Sequence, residues 1–298
     1  MSGGRRSRMW TSVPCILRIS SLADREVMTI LITGGTGKTG SRVAHRLFDL
    51  GQPFRAVTRH SEPAFDWYDE GTWEGALTGC RSAYVTFQPD IALPGADAII
   101  GAFAKRAVAL GCTRLVLLSG RGEDGARRAE NAFIEADADW TILRSAFFFQ
   151  NFTEAFWAEE IATGSLTMVE SSVSEPFVDC DDLAEVAVAA LLDPAHIGRI
   201  YELTGPRLIT FRDIAAEIGD AYGRPVTYQE LPVEDYIAAL VSAGLPQDAA
   251  TGLAYVFDEV LDGRNAHLER GVHDVLGRAA RDFKDFIGSA HAPAPLQA

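Results

Sequence analysis

The residues best spaced for chemistry lie in one glycine-rich segment near the start of the chain, TILITGGTGKTG at 29–40. An apolar run precedes three glycines, Gly34, Gly37 and Gly40, and an amphipathic helical pattern follows them. A turn of this kind brings bare backbone N–H groups and a helix N-terminus up to a pyrophosphate, which approaches closely only where glycine leaves room. The segment therefore predicts a dinucleotide site, and a tight turn without a ligand is the less favoured interpretation.

The tripeptide Gly37-Lys38-Thr39 also resembles the end of a P-loop, the phosphate-binding segment of nucleotide triphosphatases. A P-loop requires a further glycine five residues before that glycine. Position 32 is Ile32, which lies inside the predicted strand. The spacing therefore excludes the triphosphatase interpretation.

The end of the next predicted strand, 54–58, bears on which dinucleotide would bind. A site for NAD(H) usually has an acidic residue there for the ribose 2′-hydroxyl, whereas an arginine accommodates a 2′-phosphate. The residue here is Arg59, so the sequence favours NADP(H). NAD(H) stays open because Glu62 follows closely and could reach a ribose, and Arg59 could also be a solvated loop charge.

Strands and helices alternate along the chain with the spacing of an α/β fold. The pattern predicts a Rossmann-like, doubly wound parallel sheet with a smaller mixed C-terminal substrate lobe. The predicted organisation is a disordered N-terminal extension at 1–27, an NADP-binding core at 28–150, a substrate lobe interleaved with the end of the core at 151–290, and a flexible tail at 291–298.

Individual elements follow from apolar runs and from the residues that begin and end helices. A strand-like segment at 175–179 precedes a predicted helix at 181–192, whose N-cap would be Asp181 or Asp182. Two or three helices are expected after the last strand. The other predicted elements are strands at 82–87, 114–118, 140–143, 199–203 and 226–229, and helices at 72–77, 96–110, 126–136 and 211–222.

The composition excludes several functional classes. A net charge of −14 and a pI of about 4.9 argue against nucleic-acid binding, which needs a basic surface. No run of about 18 apolar residues occurs, so no membrane span is predicted. The four cysteines form no CxxC pair, so we expect neither a disulfide framework nor a metal site. We expect the protein in the cytoplasm.

Residues 1–27 differ in composition from the rest, with five arginines against two acidic residues. Their apolar piece at 13–17 is too short and too interrupted for the core of a signal peptide. We interpret this stretch as an extension that precedes the functional start at Met28. A targeting peptide is the less favoured alternative.

Taken with the glycine turn and Arg59, several further segments resemble the NmrA-like group of atypical short-chain dehydrogenases/reductases. Within that group, the turn and the segment FDWYD at 65–69 are similar to the ergot-alkaloid-type reductases, which reduce an iminium with NADPH. The resemblance runs from Met28 to about Ile287 and is loosest near its end. Its other markers are RLVLLS at 114–119, WTILR at 140–144, Phe147, Asn151, PFVD at 176–179 and YELTG at 201–205.

The resemblance implies cofactor-binding roles for particular positions. Arg59 would bind the 2′-phosphate. Asp66 and Trp67 would border the adenine, and Phe87 and Gln88 would line the ribose side. The pyrophosphate would be held by Gly34, Thr36, Gly37, Lys38, Thr39 and Gly40.

Ser119 occupies the place of the family's catalytic serine at a strand end and would border the cofactor there, although a plain turn residue is an equally good interpretation. The Tyr-xxx-Lys pair that normally follows this serine and protonates a carbonyl oxygen is missing. If Glu130 matches the family's glutamate, the two positions fall on Gly122 and Ala126, and no tyrosine or lysine occurs between Ser119 and Arg144. A positioned proton donor is worth about 10²–10⁴ in rate, so ordinary ketone reduction is disfavoured.

The missing pair divides the functional hypotheses. The favoured one is an NAD(P)H-dependent oxidoreductase that transfers hydride to a small aromatic, quinone or imine/iminium-like substrate, within secondary metabolism. The alternative is a non-catalytic NADP(H)-binding redox-sensing regulator that acts through a protein partner. An epimerase or dehydratase is disfavoured, because it too needs an acid/base pair near the nicotinamide.

An aromatic segment follows the strand that should face the nicotinamide. Phe147, Phe148 and Phe152 would suit a flat apolar or cationic substrate, and Asn151 could orient it. Positions 149, 152 and 156 also have the spacing of one helix face packed in the core, which is the favoured interpretation for them.

As partners we expect a small-molecule substrate but neither nucleic acid nor membrane, with a homodimer left open.

Overall fold

Eight strands in residues 29–154 and 156–290, the part of the chain that the computed structural model describes, form two parallel sheets. The predicted extension at 1–27 and tail at 291–298 lie outside the described residues. The strands are β1 (Thr29–Thr33), β2 (Phe54–Val57), β3 (Cys80–Val85), β4 (Arg114–Gly120), β5 (Asp139–Ser145), β6 (Ser165–Val169), β7 (Arg199–Leu203) and β8 (Thr227–Leu231).

The main sheet has six parallel strands in the order β2-β1-β3-β4-β5-β7, and β6 pairs with β8 separately. The chain crosses from one side of β1 to the other between β2 and β3, which makes the sheet doubly wound and confirms the predicted fold class. The helices are α1 (Lys38–Asp49), α2 (Trp73–Leu77), α3 (Ala96–Ala109), α4 (Asp124–Ile134), α5 (Phe156–Thr163), α6 (Cys180–Leu192), α7 (Phe211–Tyr222), α8 (Val233–Ser242), α9 (Gln247–Val260), α10 (Gly271–Leu276) and α11 (Phe283–Ser289).

Helices cover both faces of the main sheet, which explains why its strands are apolar on both sides. In β1, Leu31 packs with α2, α3 and α4, whereas Ile30 and Ile32 face the opposite layer of α1, α6 and α10. Helix α6 comes from the second half of the chain, as does β7. The second half therefore completes the main sheet in addition to building its own lobe.

The smaller lobe is built around the β6–β8 pair and has its own apolar core. Aromatic side chains dominate this core, and they come from α5, α7, α9 and α11 as well as from the turn after β5.

None of the helices in the described part of the chain combines the length and apolar character that a membrane crossing requires.

Several predicted elements differ from the observed ones. The segment at 175–179 is no strand, since only Glu175 and Val178 form isolated backbone bridges there. The N-cap of α6 is Asp179, whose side chain accepts a 2.7 Å hydrogen bond from the backbone N–H of Asp181, so the assignment to Asp181 or Asp182 was wrong. The sequence analysis also missed β6 and α5.

Candidate functional site

The glycine-rich turn between β1 and α1 leaves no room for side chains at two positions. Gly34 has a φ of +63°, and a Cβ there would lie 2.6 Å from Oγ1 of Thr86. A Cβ on Gly40 would lie 2.3 Å from the carbonyl oxygen of Gly34. The turn therefore packs against the ends of the strands and keeps its outer backbone bare, as close approach of a phosphate requires.

The N-terminus of α1 has no side-chain cap. Gly37 is the N-cap residue, and its own N–H donates a 2.9 Å hydrogen bond to the carbonyl oxygen of Gly34. Thr36 is exposed beside it, whereas Thr39 is buried in the first turn of the helix. The first N–H groups of a helix lack partners within the helix, and the helix dipole favours negative charge there. These residues fit the diphosphate of a dinucleotide.

Lys38 connects this turn with the aromatic segment after β5. Its ammonium donates a 3.0 Å hydrogen bond to Oδ1 of Asn151. Burial lowers the pKa of Lys38, while the carboxylate of Glu154 acts in the opposite direction. A cation beside a bare helix N-terminus adds to the attraction for phosphate.

Arg59 lies beside the glycine turn. The N–H of Gly35 donates a 3.2 Å hydrogen bond to the carbonyl oxygen of Val57, so the end of β2 is held against that turn. Arg59 follows Val57 by two residues, and its side chain is exposed. A phosphate on the ribose of a dinucleotide bound at the turn would lie within reach of such a side chain.

The four residues expected around the adenine and ribose occupy different environments. Asp66 accepts a 3.0 Å hydrogen bond from the N–H of Tyr68 in a tight turn. Trp67 is only 7% exposed, and its indole N–H donates to the carbonyl oxygen of Thr86. Trp67 thus belongs mainly to the core under the turn. Phe87 lines a cavity, and Gln88 is exposed next to Gly37.

A cavity of about 800 Å³ opens at the carboxyl ends of β3, β4 and β5. In an α/β sheet, this is the edge where ligands bind. Helix α9 forms the opposite wall through Leu253, Phe257 and neighbouring residues. The predicted site residues in the cavity wall are Lys38, Phe87, Ser119, Phe147, Phe148 and Asn151.

The hydroxyl of Ser119 is engaged in a buried polar network. It donates a 2.7 Å hydrogen bond to Oε1 of Glu130, which also forms an ion pair with Arg144 at 2.7 Å. This carboxylate raises the pKa of Arg144. The network holds the ends of β4 and β5 together, and the Ser119 oxygen can still accept a hydrogen bond from a ligand.

Phe152 does not line the cavity, contrary to its predicted place among the pocket residues. It is 1% exposed and stacks on Trp157, with ring centroids 5.1 Å apart. A short 3₁₀ turn at Phe149–Phe152 explains the difference, because it directs Phe149 and Phe152 into the core of the smaller lobe. Phe148 and Asn151 instead face the cavity.

The sequence analysis missed five charged residues of the cavity wall, Asp90, Arg121, Glu123, Glu175 and Asp248, of which Glu175 and Arg121 are the most buried. Arg121 directly follows β4, and Glu175 directly precedes the PFVD marker. Burial raises the pKa of Glu175 to about 7, against the charge of Arg121, which lowers it. Arg121 and Glu175 each lie next to a segment that the sequence analysis used as a family marker. Their burial, however, depends on packing against distant parts of the chain, which the local sequence does not show.

Among the described residues, one group of side chains comes close enough to share a cation: Glu202, His267 and Glu269. Glu202 already pairs with Arg121 and Arg144, at 3.0 Å and 3.3 Å. The other two side chains are exposed. We therefore assign no metal to this group.

No protein-family model matches the chain. The chain is 32% identical over 281 residues to agroclavine dehydrogenase from Claviceps fusiformis, across 87% of this chain and 96% of that protein. It is 31% identical over 274 residues to the uncharacterized oxidoreductase YesF from Bacillus subtilis, across 88% and 95% of the two chains.

A solved structure supports the fold. The NADPH-dependent quinone oxidoreductase QOR2 from Escherichia coli, complexed with NADPH, matches with a TM-score of 0.74 at 22% identity, over 87% of this chain and 98% of that one. The glycine turn, the strand order and the relatives that share nearly their whole length with this chain lead to one assignment. The chain belongs to the NmrA-like group of atypical short-chain dehydrogenases/reductases, which includes the ergot-alkaloid reductases.

Proposed function

We propose that the protein is an NADPH-dependent reductase that delivers hydride to a small aromatic, quinone or iminium-like substrate. The observation that carries this proposal is a contact: Lys38, in the first turn of α1, bonds to Asn151 in the wall of the aromatic cavity. The phosphate-binding end of the site and the substrate cavity are therefore continuous. The family membership and the names of the relatives agree with this function.

The coenzyme would be held by the glycine turn and the uncapped N-terminus of α1 at 34–40, by the ammonium of Lys38 and, at its 2′-phosphate, by Arg59. When bound, it supplies the hydride, which is chemistry that no side chain can provide. The protein's share is to hold the substrate in line and to exclude water from the cavity.

The cavity walls favour a flat, largely apolar substrate. Leu118, Phe147, Phe148 and Phe257 offer apolar and aromatic surface, on which a planar ring can stack. Asn151 provides an amide near one end for orientation. Positions 122 and 126, where the Tyr-xxx-Lys pair would be, are glycine and alanine. Acceptors that need little help from that pair are therefore the expected substrates.

The test is a reductase assay with purified protein. NADPH oxidation is followed by the loss of nicotinamide absorbance with a panel of naphthoquinones, cyclic iminium salts and cationic aromatic dyes. Turnover of at least one class, with a clear preference for NADPH over NADH, supports the proposal. Tight NADPH binding without turnover of any acceptor would contradict it and favour the redox-sensing regulator.

A further inference from the structure

Buried polar atoms of Glu175 and Arg121, in the cavity wall, find no hydrogen-bond partner among the described residues. They are Oε1 of Glu175 and Nη2 of Arg121, whose residues are 1% and 4% exposed. Leaving such a group unsatisfied in the interior is unfavourable, and more so when it is charged. Unpaired buried groups in a native structure call for an explanation, and a polar ligand atom bound in this cavity would provide one.

The backbone around Glu175 is fixed. Glu175 exchanges two 3.0 Å backbone hydrogen bonds with Ile209, and Val178 donates one of 2.8 Å to the carbonyl oxygen of Phe147. The segment is thus clamped between the end of β5 and the loop after β7. A side chain attached to a backbone fixed in this way starts from a well-defined position, as a catalytic group requires.

The guanidinium of Arg121 is oriented by its other contacts. Its Nε donates to Glu202 at 3.0 Å, and its Nη1 donates to the backbone oxygen of Asn265 at 2.8 Å. Asn265 in turn donates to the backbone oxygen of Arg121 at 3.1 Å. With these bonds made, Nη2 remains a buried donor that has no partner within 29–154 and 156–290.

The surroundings of Glu175 leave a large share of its carboxyl protonated at neutral pH. Burial raises its pKa to about 7, and the carboxylate of Asp262 adds to the increase, while Arg121 opposes it. The other charged groups of the same wall are Lys38, Asp90, Glu123 and Asp248. A general acid works best with a pKa near the working pH, which is the range that Glu175 occupies.

We propose that Glu175 is the proton donor of this reductase and that Nη2 of Arg121 hydrogen-bonds the substrate atom that receives the proton. The proposal rests on the proposed function. A quinone gains a hydride from NADPH and one proton from the Glu175 carboxyl, giving the hydroquinone and NADP⁺. The new O–H bond replaces the O–H bond of Glu175, and the carboxylate regains a proton from water.

The proposal separates two classes of acceptor. A quinone or another neutral acceptor needs both a hydride and a proton, so its reduction depends on Glu175. A preformed iminium cation needs only the hydride, because its nitrogen becomes neutral when the carbon is reduced. The same cavity can therefore serve both classes, and only the first one uses the acid.

The experiment compares Glu175→Gln with the full-length wild type, using 1,4-naphthoquinone and an N-methyl dihydroisoquinolinium salt as acceptors. We expect kcat for the quinone to fall about 100-fold, with the iminium rate and the NADPH affinity within threefold of wild type. Glu170→Gln is the matched control, since Glu170 is exposed and lies in the same inter-element segment. An equal loss of kcat for both acceptors would overturn the proposal, and so would an unchanged kcat for both.

A second measurement does not depend on turnover. Carbon-13 NMR of protein labelled at the glutamate carboxyl, with NADPH bound, should show one carboxyl that titrates near pH 7 and is absent from the Glu175→Gln spectrum. A wild-type spectrum in which no glutamate carboxyl titrates near pH 7 would overturn the proposal, even if the variant failed to fold. If the wild type reduces neither acceptor, the proposed function itself has failed; if it reduces the quinone and the variant does so equally, only the role of Glu175 has failed.

Discussion

The ammonium of Lys38 donates a 3.0 Å hydrogen bond to Oδ1 of Asn151, across 113 positions of sequence. Lys38 lies in the first turn of α1, and Asn151 lies in the turn after β5. The contact joins the predicted phosphate-binding turn to the wall of the cavity. We therefore expect a change at Asn151 to affect Lys38, a predicted ligand of the coenzyme.

We expect Lys38→Met and Asn151→Leu to be coupled in NADPH binding. Each variant removes one partner of the same hydrogen bond, so their combined cost should differ from the sum by about 0.5–1.5 kcal/mol. Calorimetric titration of the two single variants and the double variant measures this. Lys38→Met with Asn131→Leu, an exposed asparagine on α4, is the matched control and should be additive. Additive costs in the first pair would show that the contact carries no coupling.

Arg59→Ala should weaken NADPH binding about 10–100-fold and leave NADH binding nearly unchanged. Only NADPH carries the 2′-phosphate, and hydrogen bonds to a charged group contribute about 1.5–3 kcal/mol. Dissociation constants for both coenzymes give the answer. Arg127→Ala, at an exposed position on α4, should alter neither. Similar losses for NADPH and NADH would argue against the assignment of Arg59 to the 2′-phosphate.

Phe152→Ala and Phe148→Ala should affect different properties. Phe152 is buried in the core of the smaller lobe, so its truncation should lower the free energy of unfolding by about 3–5 kcal/mol. Phe148 is half-buried in the cavity wall, so its truncation should instead raise KM for aromatic acceptors about tenfold. Denaturant unfolding and steady-state kinetics of both variants distinguish the roles. A raised KM for Phe152→Ala with little loss of stability would instead place Phe152 in the pocket.

Glu175 should make stability depend on pH. Its pKa is about 7 in the folded protein and 4.5 when unperturbed, so the folded state holds the proton more tightly. The resulting stabilisation is complete below pH 4.5 and is lost as the pH rises through 7, by on the order of 3 kcal/mol. Glu175→Gln should lack this decline. Urea unfolding of the wild type and of Glu175→Gln between about pH 4.5 and 8 measures this decline. Curves of stability against pH that run parallel for the two proteins would contradict the raised pKa.

The sequence was most informative where the relevant physics is local. The glycine spacing at 34–40, the bounds of β7 and α7, and the start of β4 at Arg114 all follow from short-range patterns. The α6 cap was misassigned because Asp179, Asp181 and Asp182 are chemically alike, and only the backbone conformation identifies Asp179 as the cap.

The charged cavity residues were beyond the reach of local patterns. Arg121 and Glu175 gain their importance from burial, which depends on Asn265 and Ile209, far along the chain. Phe152 was ambiguous for the same reason: its aromatic neighbours suit both a pocket and a core, and the direction of one 3₁₀ turn decides between them. Such choices are made by tertiary packing rather than by residue type.

Helix α9 supplies one wall of the cavity, whereas the predicted coenzyme-binding residues in its lining belong to the opposite, sheet-bearing wall. Substitutions at Ala249, Gly252 or Leu253 should therefore change which acceptor binds and leave the predicted coenzyme-binding residues unaltered. For protein engineers, this 14-residue helix is the place to begin a library aimed at new acceptors. If the proposed function is correct, the same separation lets natural selection change the acceptor without altering the coenzyme site.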